Sequence, residues 1–334
     1  MISYEDISVV IQGPIHREPR EPHNGCSTSN SITSVRQHLP GASIIISTWN
    51  GENCDDLDAD QFIFNEDPGP IHKSISGPWE AHNNLNRQIV STLNGIKAVT
   101  TPYALKFRGD QSLNNGQLAK LFSASDTKSP NTQLESKIIA SSWHTYDSSL
   151  YPSPFRVSDL VQFGRTNDLI NYWNTPLAPN PLSNGTNDTS AWIKFYKIPG
   201  VRILAYAPEQ YLFVSFLMRT EYLSSKDRIY FSDKEFWHSS AKALYDHFLI
   251  FDPDDLGVLH PARMANKTDL YSSKSFASKA DLSLETNYQP SFSRQLRASF
   301  LSLTYPDKPL FVRFLAVLFR NPKKIGHLFK GTTL

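Results

Sequence analysis

The sequence predicts an α/β fold, a mostly parallel central sheet with helices on both faces, from three observations. Short apolar runs rich in β-branched residues recur early in the chain: ISVVI at 7–11, ASIIIST at 42–48 and QFIF at 61–64. Runs that are apolar at consecutive positions read as strands buried on both faces. Segments with helical spacing lie between and after them, and strand, helix, strand succession is how such sheets begin. Each run also ends on a polar or glycine-bearing turn, the edge at which open α/β sheets gather ligands.

The elements follow in order. The 7–11 strand is closed by Gln12-Gly13-Pro14, and 15–28, rich in Pro, His, Arg and Gly, reads as a loop. Residues 30–39 place Ile32, Val35 and Leu39 on one helical stripe, which Pro40-Gly41 stops. The 42–48 strand ends on Thr48-Trp49-Asn50-Gly51, and the 61–64 strand on Asn65-Glu66-Asp67-Pro68-Gly69. Residues 71–82 read as loop. A helix is predicted over 83–97, with Leu85, Ile89, Leu93 and Ile96 inward and Asn84, Arg87, Gln88 and Ser91 outward. Thr101-Pro102 ends it, and YALKF at 103–107 forms a fourth core strand that runs into Arg108-Gly109-Asp110. Further strands are predicted at 137–143 and 157–163, a loop over 123–135, a helix starting at Asp168 to Trp173, a long loop over 174–190, and an apolar helix from Tyr211 to Met218 preceded by Pro208-Glu209-Gln210.

Bulk properties narrow the function classes. The 334 residues carry a formal net charge of +1, without the basic footprint expected of a nucleic-acid partner. The two cysteines, Cys26 and Cys54, form no CxxC pair, which argues against a zinc site and fits a reducing compartment. Glu5 and Asp6 ahead of a short apolar run do not make an export signal, and no apolar run is long enough to span a bilayer. The expected location is cytoplasmic. The segment 308–334 carries Lys308, Arg313, Arg320, Lys323, Lys324 and Lys330 and no acid, around an apolar face that includes Phe311, Phe314 and Leu318. Such a segment suits an anionic membrane surface, here peripheral to the inner membrane, or a terminal helix docked on the domain.

The strand ends hold the residues with chemistry. A departing nucleoside diphosphate builds up negative charge, which a carboxylate-held divalent cation or an arginine can stabilise. Asp110 offers hard oxygen ligands for Mg²⁺ or Mn²⁺, with Arg108 beside it, and Gly109 would let the backbone approach a phosphate. Arg87 offers a planar fork of donors for a diphosphate or a base. Activation of an acceptor hydroxyl needs a base. Glu209, at a loop-to-helix junction, and Asp159, an acid within an apolar strand, are the candidates; the junction favours Glu209. His260 is a possible second metal or phosphate contact, and Trp49, Trp143 and Trp173 are possible platforms for a sugar face.

In ordered succession, ISVVIQGP, TSNSITSVRQHLPGASIIISTWNG, NEDPGP, NNLNRQIVSTLNGI and YALKFRGD, then VSDLVQFG and PEQYL, resemble the WavE family of lipopolysaccharide-synthesis proteins. The resemblance spans roughly residues 7–260. It implies a GT-A-like glycosyltransferase domain over 1–260, with a nucleotide-sugar-binding half (1–115) and an acceptor half (116–260); beyond the resemblance, a C-terminal helical extension (261–307) and the basic tail (308–334) are expected. It implies a nucleotide-sugar donor, a glycan or lipid-linked glycan acceptor, and a role in building lipopolysaccharide core, O-antigen or capsule. Carried over by residue, the Gln12-Gly13-Pro14 loop would line the nucleotide pocket with Asn84 and Arg87 nearby, and Thr48, Trp49, Arg108 and Asp110 at the other strand ends complete the expected nucleotide-sugar-binding set. Asp110 would take the metal-binding place in the Asp-x-Asp element, whose first acid is here Arg108. Sugar-phosphate transfer and non-catalytic glycan binding stand as alternatives.

Overall fold

The computed structural model describes residues 2–18, 26–74, 80–125, 128, 131–146, 155–178, 208–223 and 234–261. The expected C-terminal extension and basic tail, and the 179–190 part of the expected loop, lie outside the described residues.

A seven-stranded sheet forms the centre. Its strands are β1 (Ile7–Gln12), β2 (Ser43–Trp49), β3 (Gln61–Asn65), β6 (Tyr103–Arg108), β8 (Ile138–Ser141), β9 (Gln162–Arg165) and β10 (Phe248–Phe251), in the order β10-β8-β9-β6-β1-β2-β3. Strand β1 pairs in parallel with β2 on one side and with β6 on the other, and β2 pairs in parallel with β3. Strand β9 runs antiparallel between β6 and β8, so the sheet is mixed but mostly parallel. Two short pairs flank it: the hairpin of β4 (Ile71–Ser74) with β5 (Glu80–Asn83), and β7 (Ser112–Leu113) with β11 (Val258–Leu259). The helices are α1 (Thr28–His38), α2 (Leu85–Lys97), α3 (Gln117–Ser125), α4 (Thr166–Trp173), α5 (Pro208–Arg219), α6 (Lys234–His247) and the single turn α7 (Pro253–Leu256).

Both faces of the sheet are covered, as consecutive apolar strand residues require. On one face Ile32 and Val35 of α1 pack with Val9, Ile11, Ile44 and Ile46. On the other, Leu85, Ile89 and Ile96 of α2 pack with Val10 and Ile45, and α4 and α5 add Leu169, Tyr172, Trp173, Phe213 and Phe216. Helix α1 starts two residues earlier than its apolar spacing predicts, because Ser27 accepts a hydrogen bond from Asn30 N at 3.2 Å and caps it.

Four expectations need correction. Residues 71–74 and 80–83 form a hairpin rather than loop. The predicted 123–135 loop begins inside α3. Of the expected 157–163 strand only Gln162 and Phe163 belong to β9; residues 157–161 are buried without strand pairing. The run is apolar because it lies in the interior, and burial alone does not distinguish a strand from a packed loop. Finally, Glu209 sits in the first turn of α5 rather than ahead of it, with Pro208 at the helix start, where proline's missing N–H costs nothing.

Helix α2 lies unusually close to the sheet. A Cβ at Gly95 would stand 2.5 Å from Val10 Cγ1 and 2.9 Å from Ser47 Cβ. Gly95→Ala therefore has to push α2 outward, and is expected to destabilise the fold by about 1–3 kcal/mol. Urea denaturation measures this; an unchanged midpoint would show that the helix yields without strain.

Candidate active site

Strands β1, β2, β3 and β6 run in one direction, so their carboxyl ends share one edge. Strand periodicity then decides which side chains reach which face. Gln12, two residues beyond Val10, and Arg108, two beyond Lys106, lie on the α2 side, as does Trp49, two beyond Ser47. Above this edge lies a cleft of about 350 Å³. The turn after β1 contributes Gln12, Gly13, Pro14 and His16; β2 contributes Trp49; the loop after β3, Asp67; the start of α2, Asn84, Arg87 and Gln88; and the end of β6, Arg108. Gly13 has φ +110°, a conformation that glycine adopts readily, and its N–H bonds Ser47 O at 3.0 Å, so the chain turns sharply beneath the cleft.

Two arginines face this space, each held by an acid. Arg87 donates from Nε to Asp67 Oδ1 at 2.7 Å and from Nη2 to Asp67 Oδ2 at 2.5 Å, with Nη1 3.2 Å from Asn84 Oδ1. The Arg87 fork holds the Asp67 carboxyl below its ordinary value. Arg108 donates from Nη2 to Asp110 Oδ2 at 2.8 Å. Its side chain is 23% exposed, whereas that of Asp110 is 1% exposed. The Ser91 hydroxyl lies 2.7 Å from both Gln12 Oε1 and Arg87 O, linking β1 to α2 at the cleft floor.

A second set of charges is buried behind Arg108, on the same face of the sheet. Asp159 is 3% exposed. Its carboxyl is pushed up to about 6 by burial first and then by the charge of Glu209, against the pull of Lys106 and Arg108. Glu209 goes the opposite way. Burial disfavours its carboxylate, but Arg156 and His144 outweigh that and hold it below its ordinary value. Arg156 Nη2 is 3.4 Å and His144 Nδ1 3.6 Å from Glu209 Oε1. Asp159 Oδ2 and Glu209 Oε2 are buried with no hydrogen-bond partner among the described residues. Tyr172 is raised well above its ordinary value by burial and then by Asp159, with Glu209 adding to the shift.

Of the residues predicted from sequence, Gln12, Gly13, Pro14, Trp49, Asn84, Arg87 and Arg108 meet in the cleft. Thr48, Asp110, Asp159 and Glu209 do not line it. Thr48 points to the opposite face of β2 from Trp49 and is fully buried. Gly109 serves packing: a Cβ there would stand 2.9 Å from Thr28 Oγ1. Trp173 is a core residue whose Nε1 donates to Gln162 Oε1 at 2.7 Å, and Trp143 stacks on His260 at 5.1 Å. His260 accepts or donates at 2.5 Å to Gln111 and is pushed down to about 3, by burial first, as suits a neutral core imidazole. Sequence reasoning missed His16, Asp67 and Gln88 as cleft residues. Asp67 stood in a recognised strand end, and Gln88 lies four residues after Asn84, on the same side of α2.

Among the described residues no group of three or more His, Cys, Asp or Glu side chains is placed to hold a metal ion. Asp67, the cleft's carboxylate, is engaged by Arg87, and Asp110 is engaged by Arg108.

With this geometry in place, the family model for WavE lipopolysaccharide synthesis matches residues 7–306. The chain belongs to the WavE lipopolysaccharide synthesis family. No curated protein sequence matches this WavE chain. Among solved structures it is similar to 4-diphosphocytidyl-2C-methyl-D-erythritol synthase from Anaerococcus prevotii, at 12% identity over 50% of this chain and 74% of that one, with a TM-score of 0.29. It is also similar to HddC from Yersinia pseudotuberculosis, at 13% identity over 50% and 79% of the two chains, with a TM-score of 0.28. At these scores the site of the WavE chain is read from its own geometry. Among the described residues no helix is long and apolar enough to cross a membrane.

Removing one partner of a buried ion pair leaves a charge uncompensated. Asp110→Asn is expected to cost about 3 kcal/mol of stability, read from urea midpoints. A loss below about 1 kcal/mol would show that Arg108 is held by something else.

Proposed function

We propose that this WavE protein transfers a glycosyl group from a nucleotide-sugar donor to a hydroxyl of a bacterial surface glycan. One observation carries the reading: a cleft at the carboxyl edge of the sheet is lined by Arg87, Arg108 and the first turn of α2, and the charge of Arg108 reaches a buried acid with a raised proton affinity, Asp159. Helix N-termini and arginine forks are suited to phosphate oxygens. The base and ribose then lie toward Trp49 and Asp67, the diphosphate over Asn84 and Arg87, and the sugar toward Arg108. In this reading Arg87 and Arg108 stabilise the charge that develops on the leaving diphosphate, and no step passes through a metal ion.

Asp159 and Glu209 have different roles. Neighbouring carboxyls whose environments push their proton affinities apart are suited to acid–base work. Glu209, held ionised by Arg156 and His144, raises the affinity of Asp159, and Asp159 takes the proton of the acceptor hydroxyl. This reverses the preference that the loop-junction argument gave to Glu209.

Calorimetric titration with a panel of nucleoside diphosphates and nucleotide sugars tests the reading. Binding is expected, and Arg87→Gln or Arg108→Gln should each weaken it about tenfold or more, the scale of one lost charge-assisted hydrogen bond. Asp159→Asn should leave nucleotide affinity intact and lower turnover about 10²–10⁴-fold. A base must be deprotonated to act, so turnover should rise with pH through about 6 and then level off, in line with the Asp159 carboxyl. If no nucleoside diphosphate binds, the proposal is wrong. If Asp159→Asn turns over normally, the base lies elsewhere.

A further inference from the structure

Lys106 is a core residue with no exposed surface, paired with Val10 of β1 two residues before the end of β6. Desolvating an ammonium is costly unless it is well paired. Among the described residues no carboxylate forms an ion pair with it; its Nζ donates to the main-chain carbonyl of Asp159 and stands 5.0 Å from the centre of the Trp173 ring. Trp173 in turn donates to Gln162 Oε1 at 2.7 Å, and Gln162 Nε2 donates to Ser158 O at 3.1 Å. The buried loop before β9 is thus tied down at Ser158 and Asp159 by side chains of β6, β9 and α4. Because Lys106 and Arg108 are two residues apart on one strand, they lie on the same face, one below Asp159 and the other lining the cleft.

We infer that Lys106 is a positioning residue: its buried ammonium anchors the Asp159 loop to β6 and supplies the positive charge that keeps the Asp159 carboxyl able to ionise beside Arg108. The inference rests on the reading of Asp159 as the base. The groups acting on Asp159 are Glu209 from α5, which disfavours its charge, and Lys106 and Arg108 from β6, which favour it; Tyr172 from α4 is neutral and faces both acids. Lys106 itself feels Asp159 and Asp110 as favourable and Arg108 as unfavourable, and burial pushes it down to about 8. It therefore carries its proton across the range in which Asp159 titrates.

Two substitutions separate anchoring from charge. Lys106→Gln keeps a donor for the Asp159 carbonyl and loses the charge; Lys106→Met loses both. Replacing a buried ion by an apolar side chain of similar length is often tolerated, so Lys106→Met should fold. The primary readout is the carboxyl ¹³C titration of aspartate-labelled protein, with the Asp159 signal identified by its loss in Asp159→Asn. Both variants should move its midpoint up by a pH unit or more. The acid limb of turnover should move with it, and nucleoside diphosphate affinity should stay within twofold of the parent. Lys106→Met should in addition lower the plateau turnover, because the loop is no longer held.

An Asp159 midpoint that stays in place in Lys106→Gln overturns the inference. So does a loss of turnover at every pH together with nucleotide binding, which would mark Lys106 as a core residue only. The carboxyl titration needs no substrate. If the parent chain binds no nucleoside diphosphate the glycosyltransferase reading fails, and the titration still decides whether Lys106 governs Asp159.

Discussion

Strand β1 is hydrogen-bonded in parallel on both edges, to β2, which the chain reaches through α1, and to β6, which it reaches from β3 by a connection that contains α2. The two helices cover opposite faces of the sheet, so the chain changes direction across β1. At such a switch point the connections leaving adjacent strands diverge, and a crevice opens at their carboxyl ends. The turn at Gly13 and the close seat of Gly95 on Val10 and Ser47 follow from the same geometry. One keeps the β1 exit low, and the other brings the first turn of α2, with Asn84, Arg87 and Gln88, against it.

The rest of the site follows from the two-residue period of β6. Ala104, Lys106 and Arg108 face α2 and α4, whereas Leu105 and Phe107 pack on the α1 side. A strand interior is a costly place for lysine, and the alternation leaves it no exit to solvent. What the strand gains is a row of positive charge leading from the core to the cleft. The Asp159 loop closes against the inner end of that row, and Asp110 turns back to hold its outer end.

Much of this was legible in the sequence, for identifiable reasons. The strands buried on both faces announce themselves as consecutive apolar residues, and their terminal turns delimit the cleft, so most of its lining was predicted by position alone. Thr48 shows where that reasoning stops. A strand end supplies two neighbouring residues to opposite faces, and only register against α2 decides that Trp49 enters the cleft and Thr48 does not. Asp159 was recognisable as an acid in an apolar run, but the run was read as a strand because burial leaves the same mark on a packed loop. Its partners could not be read at all. Lys106 lies 53 residues before it and Glu209 comes from α5, and no local pattern records that they converge.

The charges around β6 also explain why Arg108 is the residue on which the two halves of the site depend. The buried groups behind it are set out as opposites, Lys106 near Asp159 and Arg156 against Glu209. Arg87 is balanced by Asp67 at the open side. Arg108 faces both ways. It bonds Asp110 beneath, lines the cleft above, and contributes to the charge felt by Asp159 and His260. A diphosphate drawn to Arg87 and Arg108 would bring negative charge toward Asp159 and raise its proton affinity, readying it to accept a proton while the donor is bound. Were a nucleoside diphosphate to depart, that influence would leave with it, and Asp159 would become the stronger acid again. Arg108 would thus couple donor occupancy to the state of the acid, through charge alone and without movement of the backbone.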